Sequence, residues 1–228
     1  MVKTVYQRPC HFSQTCKNNN LLPGKTHIFF DLDHTLWDYN RNCKSALSEI
    51  FDNYNLAKIG VPSKELFYFH FLKINDYLWD LYDSHQITSD ELRNRRFREI
   101  FDEFDIENKE ICDELNENYM QISPIKPYLI DGAMDVLTYL SRKYNLHIIT
   151  NGFYEMQTKK LNASSIFHFF EHIITSEKAK ARKPEVEIFE YATSIAKATV
   201  NECIMIDFSE ISLFLFSGLK NTKSIPAF

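Results

Sequence analysis

The segment His27-Ile28-Phe29-Phe30-Asp31-Leu32-Asp33-His34-Thr35-Leu36 constrains this chain more than any other. It reads as an apolar strand that breaks off into two carboxylates one residue apart. Residues i and i+2 of an extended chain project to the same side, so Asp31 and Asp33 can face one small volume. Two anions that close raise each other's pKa, and a bound cation relieves the repulsion. The pair suits a hard metal ion, with one carboxylate as nucleophile and the other as proton donor and acceptor. That is the chemistry of phosphoryl transfer through an aspartyl-phosphate. A solvated, Asp-rich turn is the plainer reading of the same residues.

Three later segments favour the chemical reading. Asn145-Leu146-His147-Ile148-Ile149-Thr150 reads as a second strand that runs into Asn151-Gly152, so a hydroxyl and two backbone amides sit at its end. Ala181-Arg182-Lys183-Pro184-Glu185 precedes a helical run, and Glu202-Cys203-Ile204-Met205-Ile206-Asp207 reads as a third buried strand that ends in an acid. In open parallel sheets the ligand site lies beyond the carboxyl ends of the strands, where these segments can converge. Thr150, Asn151 and Gly152 can then hold phosphate oxygens, Lys183 can neutralise charge on the transferred group, and Asp207 can complete a metal site. Each segment alone has a duller explanation as a turn, a helix start or a loop acid.

In this order the segments resemble the haloacid dehalogenase superfamily, whose four motifs match Asp31-x-Asp33-x-Thr35, Thr150, Lys183 and, less closely, Asp207. The wording around Phe30–Asp38, Ile149–Phe153 and Ser176–Glu185 is most similar to the pyrimidine 5'-nucleotidase subgroup. The resemblance implies a Rossmann-like α/β core with a parallel sheet and an inserted α-helical cap. It also implies a Mg2+-dependent phosphomonoester hydrolase, with Asp31 as nucleophile, Asp33 as acid and base, and metal held by Asp31, the Asp33 main-chain carbonyl and Asp207. Within the superfamily the second Asp of the first motif marks phosphatases, so Asp33 points to phosphate chemistry. The substrate it implies is a small phosphomonoester, a nucleoside 5'-monophosphate first. Another small phosphate, transfer to an acceptor other than water, or an impaired binding protein stay open as alternatives.

Composition bounds the rest. A chain of 228 residues with 44% hydrophobic content can bury a substantial core. The net charge of -5 offers no basic footprint for a nucleic acid polymer. Five scattered cysteines fit reduced thiols in a cytoplasm better than a disulfide framework, and Cys10-His11 with Cys16 lacks the second pair of a zinc finger. No apolar run reaches membrane-span length, and Met1 to Lys25 lacks a signal-peptide centre. Residues 1–25 are expected to be a flexible extension, 26–37 and 125–228 the core, and 38–124 the cap.

Four amphipathic helices are expected in that cap: Cys43–Tyr54, Ser63–Tyr82, one opened by the capping box Thr88-Ser89-Asp90-Glu91 and running to Phe104, and Asn108–Met120. In the second, Leu66, Phe67, Phe69, His70, Ile74, Tyr77, Leu78 and Leu81 are expected on one face. The aromatics of this region read as packing core. Arg93, Arg95, Arg96 and Arg98 read as a solvated helix face, and His34 as a bystander. After Asp207 the pattern departs from the superfamily. No glycine precedes Asp207, Ser212 stands where a second acid is usual with Glu210 nearby, and Leu213-Phe214-Leu215-Phe216 is apolar. The C-terminal end of the core is therefore expected to be truncated or altered, with an incomplete sheet edge.

Overall fold

The computed structural model describes residues 22–208 and the backbone of 212–215. Its elements run β1 (His27–Phe30), α1 (Tyr39–Asn53), α2 (Leu56–Ile59), α3 (Lys64–Asp83), α4 (Ser89–Asp102), α5 (Cys112–Ile122) and α6 (Ala133–Leu140). They continue with β2 (Asn145–Thr150), α7 (Tyr154–Ala163), β3 (Phe170–Thr175), α8 (Ser176–Ala179), α9 (Val186–Ala196), β4 (Cys203–Asp207) and β5 (Ser212–Leu215). The strands form one sheet in the order β3-β2-β1-β4-β5. β1 to β4 are mutually parallel, and β5 runs antiparallel to β4.

β1 is central because it is apolar on both faces, as a strand covered from both sides must be. Ile28 and Phe30 turn one way, packing with Leu146, Ile148 and Ile204 against Leu137 and Leu140 of α6 and Leu161 of α7. Phe29 turns the other way, with Ile149, Ile174 and Met205, against Ile188, Phe189 and Ala192 of α9. The result is the expected α/β architecture, a mainly parallel sheet between helical layers. Leu22 packs on this core and Lys25 Nζ donates to the Asn201 carbonyl at 2.9 Å. Residues 1–21 of the expected extension, with Cys10, His11 and Cys16, lie outside the described residues.

Helices α1 to α5 bury a core of their own around Leu47, Ile50, Phe67, Phe71, Leu78, Phe97, Phe101, Leu115 and Tyr119. Fully burying one such side chain stabilises by about 1.5–3 kcal/mol, which explains why helices with little contact to the sheet hold together. α4 starts where the capping box predicts, with Thr88 Oγ1 accepting from Glu91 N and Glu91 reaching back to Thr88 N. Several expectations need correction. In α3 the buried stripe is Phe67, Phe71, Ile74, Leu78 and Tyr82, whereas Leu66, Phe69 and Tyr77 are exposed. The strict i, i+4, i+7 repeat defines the face, and the extra apolar residues fall outside it. The fourth helix begins at Cys112, since Asn108 closes a turn onto the Glu110 amide instead. β3 and α2 carry no pattern that sequence reading singled out. Of the C-terminal segment, Ser212–Leu215 pairs antiparallel with β4 as β5. Glu210 and the side chain of Ser212 lie outside the described residues.

Candidate active site

The register of the central strands builds the site. Phe30 lies opposite both Ile148 of β2 and Ile206 of β4, so the chain beyond them brings Asp31 level with Asp207 and close to Thr150. Asp31 N donates to the Ile206 carbonyl at 2.9 Å, extending the ladder by one step. The loop that follows is held by Thr35, whose Oγ1 accepts from Phe208 N at 2.9 Å. His34 takes a left-handed backbone conformation and its ring lies against Tyr39, without contact to either carboxylate in the hydrogen bonds of the described residues.

All seven predicted residues, Asp31, Asp33, Thr150, Asn151, Gly152, Lys183 and Asp207, line one cavity of about 580 Å3 roofed by α3, α4 and α5. Lys183 Nζ lies 2.7 Å from Asp31 Oδ1 and 2.7 Å from Asp207 Oδ2. Burial pushes Asp31 up to about 6, further raised by Asp207 and opposed by Lys183. Burial disfavours the Lys183 cation, but the two carboxylates outweigh it and hold its pKa above the ordinary value. Asn151 fixes the lysine loop, its Oδ1 accepting from Lys183 N at 2.7 Å and its Nδ2 donating to Lys183 O at 3.1 Å.

Asp33 has different partners. Its carboxylate takes Lys160 Nζ at 2.7 and 2.8 Å and Gln157 Nε2 at 2.9 Å, both from α7. Burial would raise its pKa, yet Lys160 and Gln157 together bring it below the ordinary carboxylate value. Gln157 Nε2 also lies 2.7 Å from Thr150 Oγ1, which accepts from Gly152 N at 3.1 Å as well. Gly152 leaves room for this packing, since a Cβ there would collide with Gln157 Nε2 and would have to displace that side chain from Asp33 and Thr150.

Residues 25–207 match the family model for haloacid dehalogenase-like hydrolases. The chain belongs to that family. The HAD-hydrolase YfnB of Bacillus subtilis is 31% identical over 164 residues, covering 72% of this chain and 67% of YfnB. Pyrimidine 5'-nucleotidase PynA of Streptococcus pneumoniae is 29% identical over 164 residues, 72% of this chain and 66% of PynA. The aligned part thus spans about two thirds of these relatives' length. A crystal structure of YfnB bound to magnesium superposes with a TM-score of 0.69 at 28% identity, covering 79% of this chain and 77% of that one.

Members of the haloacid dehalogenase superfamily typically use Mg2+, and the donor set here fits a hard cation. Between the carboxylates of Asp31 and Asp207 the structure accommodates a positive charge, at present the Lys183 ammonium. Both donors are oxygens, as Mg2+ prefers. The Asp33 carboxylate is paired with Lys160 instead. A separate grouping, His147, Glu171 and His172 on β2 and β3, places three ligand atoms within 4.8 Å of one another. It is no part of this cavity.

Three contributors escaped the sequence reading. Gln157 and Lys160 sit on the buried stripe of α7 with Leu161, a signal in the 3.6-residue period. Arg96 does the same in α4. It falls in step with Leu92 and Ile100, is only 3% exposed and lines the cavity, so the expectation of a solvated arginine face fails for this residue.

Proposed function

We propose that this chain is a Mg2+-dependent phosphomonoesterase that works through an aspartyl-phosphate, with nucleoside 5'-monophosphates, pyrimidine ones first, as substrates. The observation that carries this reading is the division of labour between two acids two residues apart. Asp31 and Asp207 share the Lys183 ammonium, whereas Asp33 pairs with Lys160 and Gln157. One carboxylate therefore stands with a second acid around a single cation, and the other beside a lysine of its own. The similarity to pyrimidine 5'-nucleotidases supports the substrate class. Residues 38–124 act as the cap, excluding water and meeting the non-phosphate end of the substrate.

In this mechanism an Asp31 oxygen attacks phosphorus as the bond to the leaving oxygen breaks, and Asp33 gives that oxygen its proton. The arriving phosphate anion raises the proton affinity of Asp33, offsetting the pull of Lys160. Asp33 then takes a proton from the water that attacks phosphorus, which releases phosphate and restores Asp31. Thr150, the Asn151 and Gly152 amides and Lys183 hold the phosphoryl oxygens. Mg2+ held by Asp31, the Asp33 carbonyl and Asp207 would supply charge neutralisation during the transfer. Among the described residues no helix is long and apolar enough to cross a membrane, and Cys43, Cys112 and Cys203 are free. A cytoplasmic enzyme acting on small molecules accords with both.

The test is phosphate release from pyrimidine and purine monophosphates and sugar phosphates, with and without Mg2+, against Asp31→Asn as blank. Mg2+-dependent release confined to the unsubstituted protein and strongest for pyrimidine nucleotides is expected. Release that persists in the Asp31→Asn protein would sink the nucleophile assignment, and a preference for sugar phosphates would sink the substrate class.

A further inference from the structure

Of the four arginines of α4, Arg95 pairs with Glu99 at 2.6 Å and Arg98 takes both Asp113 oxygens at 2.8 Å, while Arg93 rests on the Phe153 ring, its Nε buried without a partner but outside the cavity that Asp31 lines. Arg96 is 3% exposed, and its Nε and Nη1 are buried without any hydrogen-bond partner. It makes no ion pair among the described residues. Its guanidinium stands 5.2 Å from the Tyr119 ring and 5.6 Å from the Phe71 ring, and it lines the same cavity as Asp31. Aromatic faces attract a cation but satisfy none of its N–H groups. A charge withdrawn from water without an acceptor is a standing cost to the fold, which a ligand atom can remove.

We infer that Arg96 is the receptor for a planar oxygen acceptor at the end of the substrate opposite the phosphate, a carbonyl of a pyrimidine base. This rests on the phosphatase reading above and adds the group that selects the substrate. A guanidinium offers its donors in one rigid plane, suited to sp2 oxygens in the plane of a ring. The ring itself would lie among the aromatic walls that Tyr39, Trp79 and Tyr119 give the cavity. Asp76 and Asp80 of α3 line the same space and offer acceptors for hydroxyl or ring N–H donors. Ligand and cap therefore complement each other in both senses, acceptor to Arg96 and donors to the α3 acids. A carboxylate on the leaving group presents the same planar oxygens, and the substrate panel separates the two.

The experiment compares the unsubstituted protein with Arg96→Met and Arg96→Lys on uridine monophosphate, 3-phosphoglycerate and phenyl phosphate, the last having no distal acceptor. For uridine monophosphate we expect KM to rise at least tenfold in both variants with kcat within about threefold, since lysine lacks the planar fork. Phenyl phosphate turnover should stay within about threefold and the melting temperature should not fall. A matching loss on phenyl phosphate, or a lowered melting temperature with all substrates affected alike, would make Arg96 a packing residue and overturn the inference. Loss on 3-phosphoglycerate instead of uridine monophosphate would keep the planar acceptor and replace the base carbonyl by a carboxylate. Calorimetric titration with uridine separates this inference from the reading it rests on. Uridine binding that Arg96→Met abolishes, in a protein without turnover, fails the phosphatase alone, and the absence of any uridine binding or turnover fails both.

Discussion

The floor and the roof of the cavity satisfy their charges in opposite ways. On the floor, at the carboxyl ends of the strands, Asp31, Asp207 and Asp33 each have an ammonium partner within 2.8 Å, from Lys183 or Lys160. On the roof, Arg96, Asp76, Asp80 and Asp83 make no ion pair among the described residues, and Asp83 Oδ1, like two of the Arg96 nitrogens, is buried without a partner. The floor is preorganised, so reacting groups need little rearrangement when charge develops. The roof leaves donors and acceptors for a ligand to complete. On the proposed function, chemistry common to many phosphate esters would be fixed in the sheet and discrimination left to the helices.

Substitutions at the two ends of this contrast should differ in kind. Asp31→Asn removes the proposed nucleophile, and phosphate release should fall by roughly a thousandfold or more while the melting temperature is kept, because Lys183 retains Asp207 as a partner. An unchanged rate would erase the special status of the floor. Phe97→Ala should cost about 3–5 kcal/mol by opening a cavity among Phe67, Phe71 and Tyr119, detectable in urea unfolding. Hydrogen exchange should show this loss in α1 to α5 ahead of the sheet; equal loss in both would make the molecule one cooperative unit.

Lys160→Met leaves burial to dominate at Asp33, so its pKa should rise above the ordinary carboxylate value. The limb of the pH–rate profile that belongs to Asp33 should move to higher pH, with turnover down by roughly ten- to a hundredfold. An unmoved limb would show that Lys160 merely fills space. The smallest effect lies away from the cavity, at His147, whose pKa falls from 6.5 to about 3 through burial and the neighbouring His27 and His172. The unfolded chain then binds the extra proton first, so stability present above pH 6.5 is lost as pH falls toward about 3. In His147→Phe the acid limb of melting temperature against pH should flatten; an identical limb would place acid sensitivity elsewhere.

How legible this was in sequence depended on whether a residue's environment is set locally. Asp31, Thr150 and Asp207 stand at the ends of apolar runs whose strand character is local, so their convergence followed from sheet topology. The Thr88 to Glu91 capping box is likewise complete within one turn. β3 was missed because Phe170–Thr175 carries Glu171 and His172 inside a short run, and a register irregularity beside His147 breaks its alternation. Arg96 and Lys160 were missed because a charged residue on an apolar helical stripe is ordinarily taken for a stem lying along the surface. Their burial is decided by what packs over them from distant segments. The exposed Leu66, Phe69 and Tyr77 were misjudged for the converse reason, that hydrophobicity alone does not say which side a neighbour occupies.

The place of β1 has a consequence for how the chain acquires its structure. Made early, it pairs with β2 and β4, strands that begin at Asn145 and Cys203, so its backbone must wait for most of the polypeptide. Helices α1 to α5 pack chiefly on one another, with Phe153 and Met156 added only after β2, and can largely settle during that interval, whereas β5 closes onto β4 as soon as both are made. Contacts between distant segments form slowly, and the His27–Phe30 edge stays open to wrong partners until they do. The strand that organises the finished enzyme is therefore the point at which its synthesis is most exposed to aggregation.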